Sequence, residues 1–213
     1  MRAHILIGLF GILGLTVLVV LFLVVLPERV LAPKELADVP KTLDTPVITF
    51  IDPIRGNPDA RVTIVEYGDY LCPLCQQLAP DIKALVEEKP QQRRFVWKDA
   101  PNVDAHAEAM TVALAARCAQ DQGAFWPYYD RLFDARGTLS SALELEQLAA
   151  QLTLNVSAFN ACMASEVTRP VVLHTLQEAF SLGVQNTPTL FINGTLYTGP
   201  LTKTGIEAFI DTL

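Results

Sequence analysis

The apolar positions of this chain follow two different patterns. From Ile5 to Leu26 they run for 22 residues with Thr16 as the sole polar side chain. As a helix that run would be about 33 Å long, against a bilayer core of roughly 30 Å, so it predicts a membrane span. It is longer than the apolar core of about 7–15 residues in a cleaved export signal. The one site-like stretch, Val30-Leu31-Ala32, is followed by Pro33, an awkward residue for cleavage. The reading is an uncleaved signal anchor over residues 1–26. Residues 27–46, marked by Pro27, Pro33, Pro40 and Pro46, read as a semi-extended linker.

Beyond residue 46 the pattern becomes periodic. Val47–Ile51 is a short apolar run and predicts an edge strand. Arg61–Tyr67, rich in β-branched residues and preceded by an Asn57-Pro58-Asp59 turn, predicts a stronger one. Leu74, Leu78, Ile82 and Leu85 then recur at helical spacing, with Pro73 suited to a first turn and Pro80 expected to kink the helix. Arg94–Trp97 completes a strand–helix–strand unit. From Asp104 to Val184 the pattern is helical throughout. Asp104 is the expected cap of a helix reaching Gln122, Ala124–Ala135 forms a second, and Ser141-x-x-Glu144 is a capping box for a third. Asn155–Ser165 and Pro170–Leu182 supply two more. Strands return at Thr189–Ile192 and Thr195–Thr198 around Asn193-Gly194, a strong hairpin signal. Thr204-x-x-Glu207 is expected to cap a last helix.

Charge narrows the function classes. From Val30 onward 14 Lys and Arg stand against 22 Asp and Glu, a balance of −8, which repels a phosphate backbone and argues against nucleic acid as a partner. Four cysteines in 213 residues are too few for a disulfide scaffold.

Two of the four, Cys72 and Cys75, form a C-x-x-C pair where the helix begins. A structural zinc site would need a second such pair or paired histidines. Cys118 and Cys162 are isolated, and His106 and His174 read as a helix-surface and a helix-packing residue. A purely structural disulfide across two residues would constrain little of the unfolded chain. A redox dithiol suits the context, because a thiolate at a helix N-terminus faces unpaired N–H groups and the positive end of the helix dipole. No cofactor beyond that disulfide, and no metal, is expected. The cluster Phe125, Trp126, Tyr128, Tyr129 and Phe133 reads as core. Asn155-Val156-Ser157 and Asn193-Gly194-Thr195 match the glycosylation triplet, a pattern common by chance.

With these residues in place, the chain from Val47 to its C-terminus resembles the DsbA-like thiol:disulfide oxidoreductases of the thioredoxin superfamily. The pattern comprises an acid six positions before the first cysteine, here Glu66, and a proline five after the second, here Pro80. A Thr-Pro-Thr loop before an apolar strand and an Asn-Gly turn completes it, here Thr187-Pro188-Thr189 within Val184–Gly194. The resemblance implies an α/β thioredoxin fold over 47–213 with an inserted all-helical domain at 103–184. It implies that Cys72 exchanges with substrate from an exposed position, and that Cys75 is a buried resolving thiol. Glu66 would lie beneath Cys75 to assist proton transfer, and a cis Thr187–Pro188 bond would set a backbone edge beside the cysteines. Similar cysteines in some relatives form a second disulfide, which implies a Cys118–Cys162 pair; the residues alone leave free thiols or a regulatory role open. Two departures stand out. Leu74 occupies a position where the best-known oxidases carry His, which predicts a less oxidising couple, and Asn186 stands where relatives often have Gly.

The expected activity is oxidation of cysteine pairs in exported, reduced proteins by a monomer held at the cytoplasmic membrane, with its catalytic domain on the extracytoplasmic, periplasmic side. By resemblance a quinone-linked membrane partner would re-oxidise the dithiol. A reductase or isomerase serving, for example, cytochrome maturation is the alternative enzyme; a metal carrier or binding module is the alternative from another class.

Overall fold

The computed structural model describes residues 42–213. The anchor read at residues 1–26 and most of the expected linker lie outside them. Among the described residues no helix is long and apolar enough to cross a membrane.

Five strands form one mixed sheet in the order β1-β3-β2-β4-β5. They are β1 (Ile54–Gly56), β2 (Val62–Gly68), β3 (Arg93–Asp99), β4 (Thr189–Ile192) and β5 (Thr195–Leu196). The central pair, β2 and β3, is parallel, joined through α1 (Pro73–Glu88), while β1 and β4 run antiparallel to their neighbours. Because side chains alternate across a strand, β2 serves both faces of the sheet. Ile64 belongs to the apolar cluster shared with α1 and the inserted helices, while Val65 and Tyr67 belong to the opposite one. Glu66 has the parity of Ile64, and it therefore points toward α1. This is the step that places a carboxylate beneath the cysteines.

The insertion comprises α2 (Ala109–Gln120), α3 (Phe125–Asp134), α4 (Ala142–Gln151), α5 (Val156–Ser165) and α6 (Arg169–Ser181), and α7 (Lys203–Ile210) closes the chain. The Ser141–Glu144 capping box forms in full, and Asn155 caps α5 by accepting from Ala158 N–H. The predicted aromatics pack as core: Phe125, Tyr128, Tyr129 and Phe133 are all buried. Helix α1 continues through Pro80 to Glu88.

Four local expectations are corrected. Val47–Ile51 is not a strand. Asp52 Oδ2 accepts from the Thr49 N–H (2.6 Å) and hydroxyl (3.0 Å), which folds 49–52 into a turn, and the edge position beside β3 goes to Ile54–Gly56. Asp104 does not cap a helix: Asn102 Oδ1 accepts from Ala105 N–H and holds a turn there, so α2 begins only at Ala109. The second arm of the hairpin stops at Leu196, not Thr198. The cap of α7 is Thr202, which accepts from Gly205 N–H, not Thr204.

The last residues of the expected linker are held on the domain. The N–H groups of Thr42 and Leu43 donate to Ser181 O, and that of Val47 donates to Glu178 Oε1. Beneath them lies a buried charge network. Lys98 reaches Asp52 (2.8 Å) and Glu178 (3.0 Å), and the Tyr67 hydroxyl donates to Glu178. A buried cation is tolerated only with such partners, so this network ties residues 47–52 and α6 to β3.

Candidate active site

The turn from β2 into α1 presents Cys72 as the N-cap of α1, with Pro73 in the first turn and no side-chain cap bond. Cys72 Sγ therefore sits where backbone donors are unpaired. From the other side of the site comes the loop before β4. Its Thr187–Pro188 bond is cis, and the Cys72 sulfur lies 3.3 Å from the Thr187 carbonyl oxygen. Cys75, one turn further along, is buried. The exposed sulfur expected at Cys72 is in fact narrowly accessible: 7% of the residue is exposed, against none of Cys75. That difference still decides which sulfur a substrate can reach.

The electrostatics separate the two thiols. Cys72 is lowered to about 5, chiefly by its hydrogen bond with Cys75, against a burial cost, with further help from Thr187 and the backbone of Cys75 and Leu74. Cys75 is pushed well above the ordinary thiol range, first by burial, then by its bond to Cys72 and the charge on Glu66. Glu66 is raised to about 8, mainly by burial, opposed by Cys75 and reinforced by the charge on Cys72. At neutral pH the site thus holds a thiolate at Cys72, a thiol at Cys75 and a protonated Glu66.

Around Glu66 lies an aromatic shell. The Tyr70 ring is 4.9 Å from Trp97 and 5.8 Å from Tyr129. A Cβ on Gly68 would strike the Trp97 ring and lie 3.0 Å from Glu66 Oε1, so only glycine permits this approach. The shell is what makes the carboxyl expensive to ionise.

Two groups escaped sequence reasoning. Asp69 is fully buried, and its Oδ2 lies 2.8 Å from His106 Nδ1. His106 is therefore not a free surface residue, and it precedes the helix it was expected to lie in. The Gly68-Asp69-Tyr70 run beside the cysteines was a signal for Asp69; nothing local marked His106. His174 lies in α6 but is exposed, so it is a surface residue and not the helix-packing residue expected: the buried face of α6 is formed by Val172, Thr175, Glu178 and Ala179. Cys118 and Cys162 stand apart from the dithiol, joined to each other as a disulfide between α2 and α5.

Residues 50–212 match the family model described as thioredoxin. The chain belongs to the thioredoxin family. Its fold is shared with solved DsbA-like proteins. A thioredoxin-like oxidoreductase from Silicibacter pomeroyi superposes with a TM-score of 0.69 at 23% identity, covering 77% of this chain and 92% of the other. BdbD from Bacillus subtilis gives 0.67 at 21% identity over 76% and 92%. Wolbachia pipientis alpha-DsbA1 gives 0.68 at 19% identity over 78% and 92%. Among curated proteins, a Na(+)/H(+) antiporter NhaA 1 from Salinispora arenicola is 34% identical over 168 residues, 79% of this chain and 26% of the antiporter. One from Herminiimonas arsenicoxydans is 33% identical over 84% of this chain and 28% of its own length. The chain thus spans about a quarter of the curated relatives it matches.

Sequence membership and local chemistry agree on a measurable property. In the reduced protein, thiolate absorbance at 240 nm is expected to titrate with a midpoint near 5 from Cys72, and a midpoint near an ordinary thiol would refute the site as described. The sign for stability follows. The folded value of Cys72 is depressed, so its contribution is full above the unfolded thiol value of about 8.5 and is lost as pH falls through 5. Glu66 works oppositely: its raised value makes its contribution fade as pH climbs from about 4.5 through 8.

Proposed function

We propose that the protein is a membrane-anchored, extracytoplasmic thiol:disulfide oxidoreductase that oxidises cysteine pairs in exported proteins. The observation that carries this reading is the Cys72 sulfur, ionised at the head of α1 beside a buried, protonated Cys75 and facing the loop at Thr187.

In the oxidised protein a substrate thiolate attacks Cys72 Sγ. The Cys72–Cys75 bond breaks, and the electron pair leaves on Cys75. Glu66, protonated beneath it, supplies the proton that the high affinity of Cys75 demands. A second substrate thiolate then attacks the substrate sulfur of the mixed disulfide and expels Cys72 as a thiolate. Two electrons pass from the substrate dithiol to the protein. Thiolate stability at Cys72 favours this release, because a leaving thiol of lower pKa leaves faster. A value near 5 lies between about 7 for thioredoxin and about 3.5 for DsbA, on the oxidising side of the family. Thr187 offers its backbone edge to an extended substrate segment, with Pro188 fixing the loop.

Other observations support the location. The Cys118–Cys162 disulfide suits an oxidising compartment. The apolar run Ile5–Leu26 suits an anchor. A quinone-linked membrane partner would return the dithiol to its oxidised state.

Equilibration with glutathione buffers tests the direction. A reduction potential of about −180 mV or higher is expected, whereas one near −270 mV, the range of thioredoxin, would assign the protein to the reductive direction instead. Leu74, half exposed between the cysteines where strong oxidants carry an imidazole, is the feature that makes this measurement decisive.

A further inference from the structure

Asp69 joins the dithiol to the helical insertion. Its carbonyl accepts from Cys72 N–H at 3.1 Å, its backbone hydrogen-bonds Cys75, and its Oδ1 accepts from Leu71 N–H at 2.9 Å. One residue thus holds three points of the turn that carries the cysteines. Its other carboxylate oxygen is grasped from outside that turn. Oδ2 accepts from Asn102 N–H at 3.1 Å and meets His106 Nδ1 at 2.8 Å. Both partners belong to the segment that leads from β3 into the insertion. The Asp69 side chain is wholly buried, while that of His106 is 25% exposed. A carboxylate left buried with fewer partners would rotate to recover them, and the bond to Leu71 would go with it.

We propose that His106 is a positioning residue for Cys72: by holding the Asp69 carboxylate it fixes the 69–72 turn and aligns the backbone donors at the head of α1 on the nucleophilic sulfur. The inference rests on the reading of Cys72 as the exchanging thiol. It adds a role for the insertion. The segment that leads into the insertion, which carries no reacting group, sets the reactivity of the dithiol through an imidazole–carboxylate contact that spans 37 residues of sequence.

The test uses the reduced full-length protein and no polypeptide substrate. Thiolate absorbance at 240 nm and the rate of alkylation by iodoacetamide are measured for wild type, His106→Ala and His106→Gln. Alkylation is followed at a pH below the wild-type midpoint. There the rate tracks the thiolate fraction, so a rise of about half a unit in the midpoint slows it about threefold. His106→Ala is expected to show at least that slowing. His106→Gln, whose side-chain amide can still donate to Oδ2, is expected to recover most of the wild-type rate. Asp69→Asn is a second variant that perturbs the same contact from the other side, and it is expected to slow alkylation likewise. Melting of each variant is followed in parallel. The proposal is overturned if His106→Ala alkylates and titrates as wild type. It is equally overturned if Ala and Gln impair both melting and alkylation alike, since that pattern is a general structural loss. A wild-type Cys72 that titrates as an ordinary thiol would instead overturn the reading of Cys72 on which the proposal rests.

Discussion

With Cys72 replaced by serine, catalysed exchange between a reduced peptide and the protein is expected to fall by about three orders of magnitude or more, because a hydroxyl forms no disulfide and is a poor nucleophile at neutral pH. The partner substitution separates the roles. Cys75→Ser keeps a reactive Cys72 but lacks the internal thiol that clears a mixed disulfide. With a peptide that carries a disulfide, the Cys72 thiolate should therefore attack one sulfur, release the other as a thiol, and leave a covalent protein–substrate adduct that accumulates on a non-reducing gel. The asymmetry comes directly from accessibility and ionisation: Cys72 is the sulfur with residual exposure and a lowered value, and Cys75 is sealed and raised. If Cys75→Ser reacted with iodoacetamide as slowly as an ordinary thiol and formed no adduct, the assignment of Cys72 as the attacked sulfur would fail. Part of any slowing is expected in this variant, because the Cys75 hydrogen bond is the foremost stabiliser of the Cys72 thiolate.

Removing the Cys118–Cys162 bond is expected to act on stability alone. The bond closes a loop of 44 residues between α2 and α5. The chain-entropy relation assigns a loop of that size about 4 kcal/mol at 25 °C. For a domain of this length about 4 kcal/mol corresponds to a drop in melting temperature of roughly 8–16 °C. The double variant Cys118→Ala/Cys162→Ala should show that drop by calorimetry while keeping the Cys72 titration midpoint. A shift in the midpoint would show that the bond reaches the dithiol, contrary to a purely structural role. The two predictions divide the four cysteines into a pair that does chemistry and a pair that holds helices together.

Much of the candidate site could be read along the chain because its signals are short in range. The C-x-x-C pair falls where an apolar helical period starts, and α1 does begin at Pro73. The family resemblance put Glu66 beneath Cys75, and the alternation of faces along β2 is what turns it there. The capping box at Ser141 and the Asn193-Gly194 turn are complete within four residues and formed as read. Where the reading went astray, a side chain had chosen a partner that local patterns do not weigh. Asp52 took the Thr49 N–H and turned an apolar run away from the sheet edge. Asn102 did the same to the start of the second helix. In both cases Asx-type bonding to a nearby backbone donor outweighed the preference implied by the apolar pattern.

The sequence by itself determined the elements that hydrophobic period and capping dictate: the strand–helix–strand unit, the helical insertion, the hairpin, and a dithiol at a helix N-terminus. These depend on neighbours within a few residues, and the backbone geometry that sets them is the same in any fold. Tertiary structure alone decided which charges meet. Lys98 with Asp52 and Glu178, and Asp69 with His106, join groups from 37 to 80 positions apart. Such pairs form because burying an ion without a partner is costly, and the partner is whatever the packed elements bring within reach. The ionisation of Cys72, Cys75 and Glu66 has the same origin. Residue types named the candidates, but burial beneath Trp97, Tyr70 and Tyr129 is what holds Glu66 near 8 while Cys72 falls to about 5.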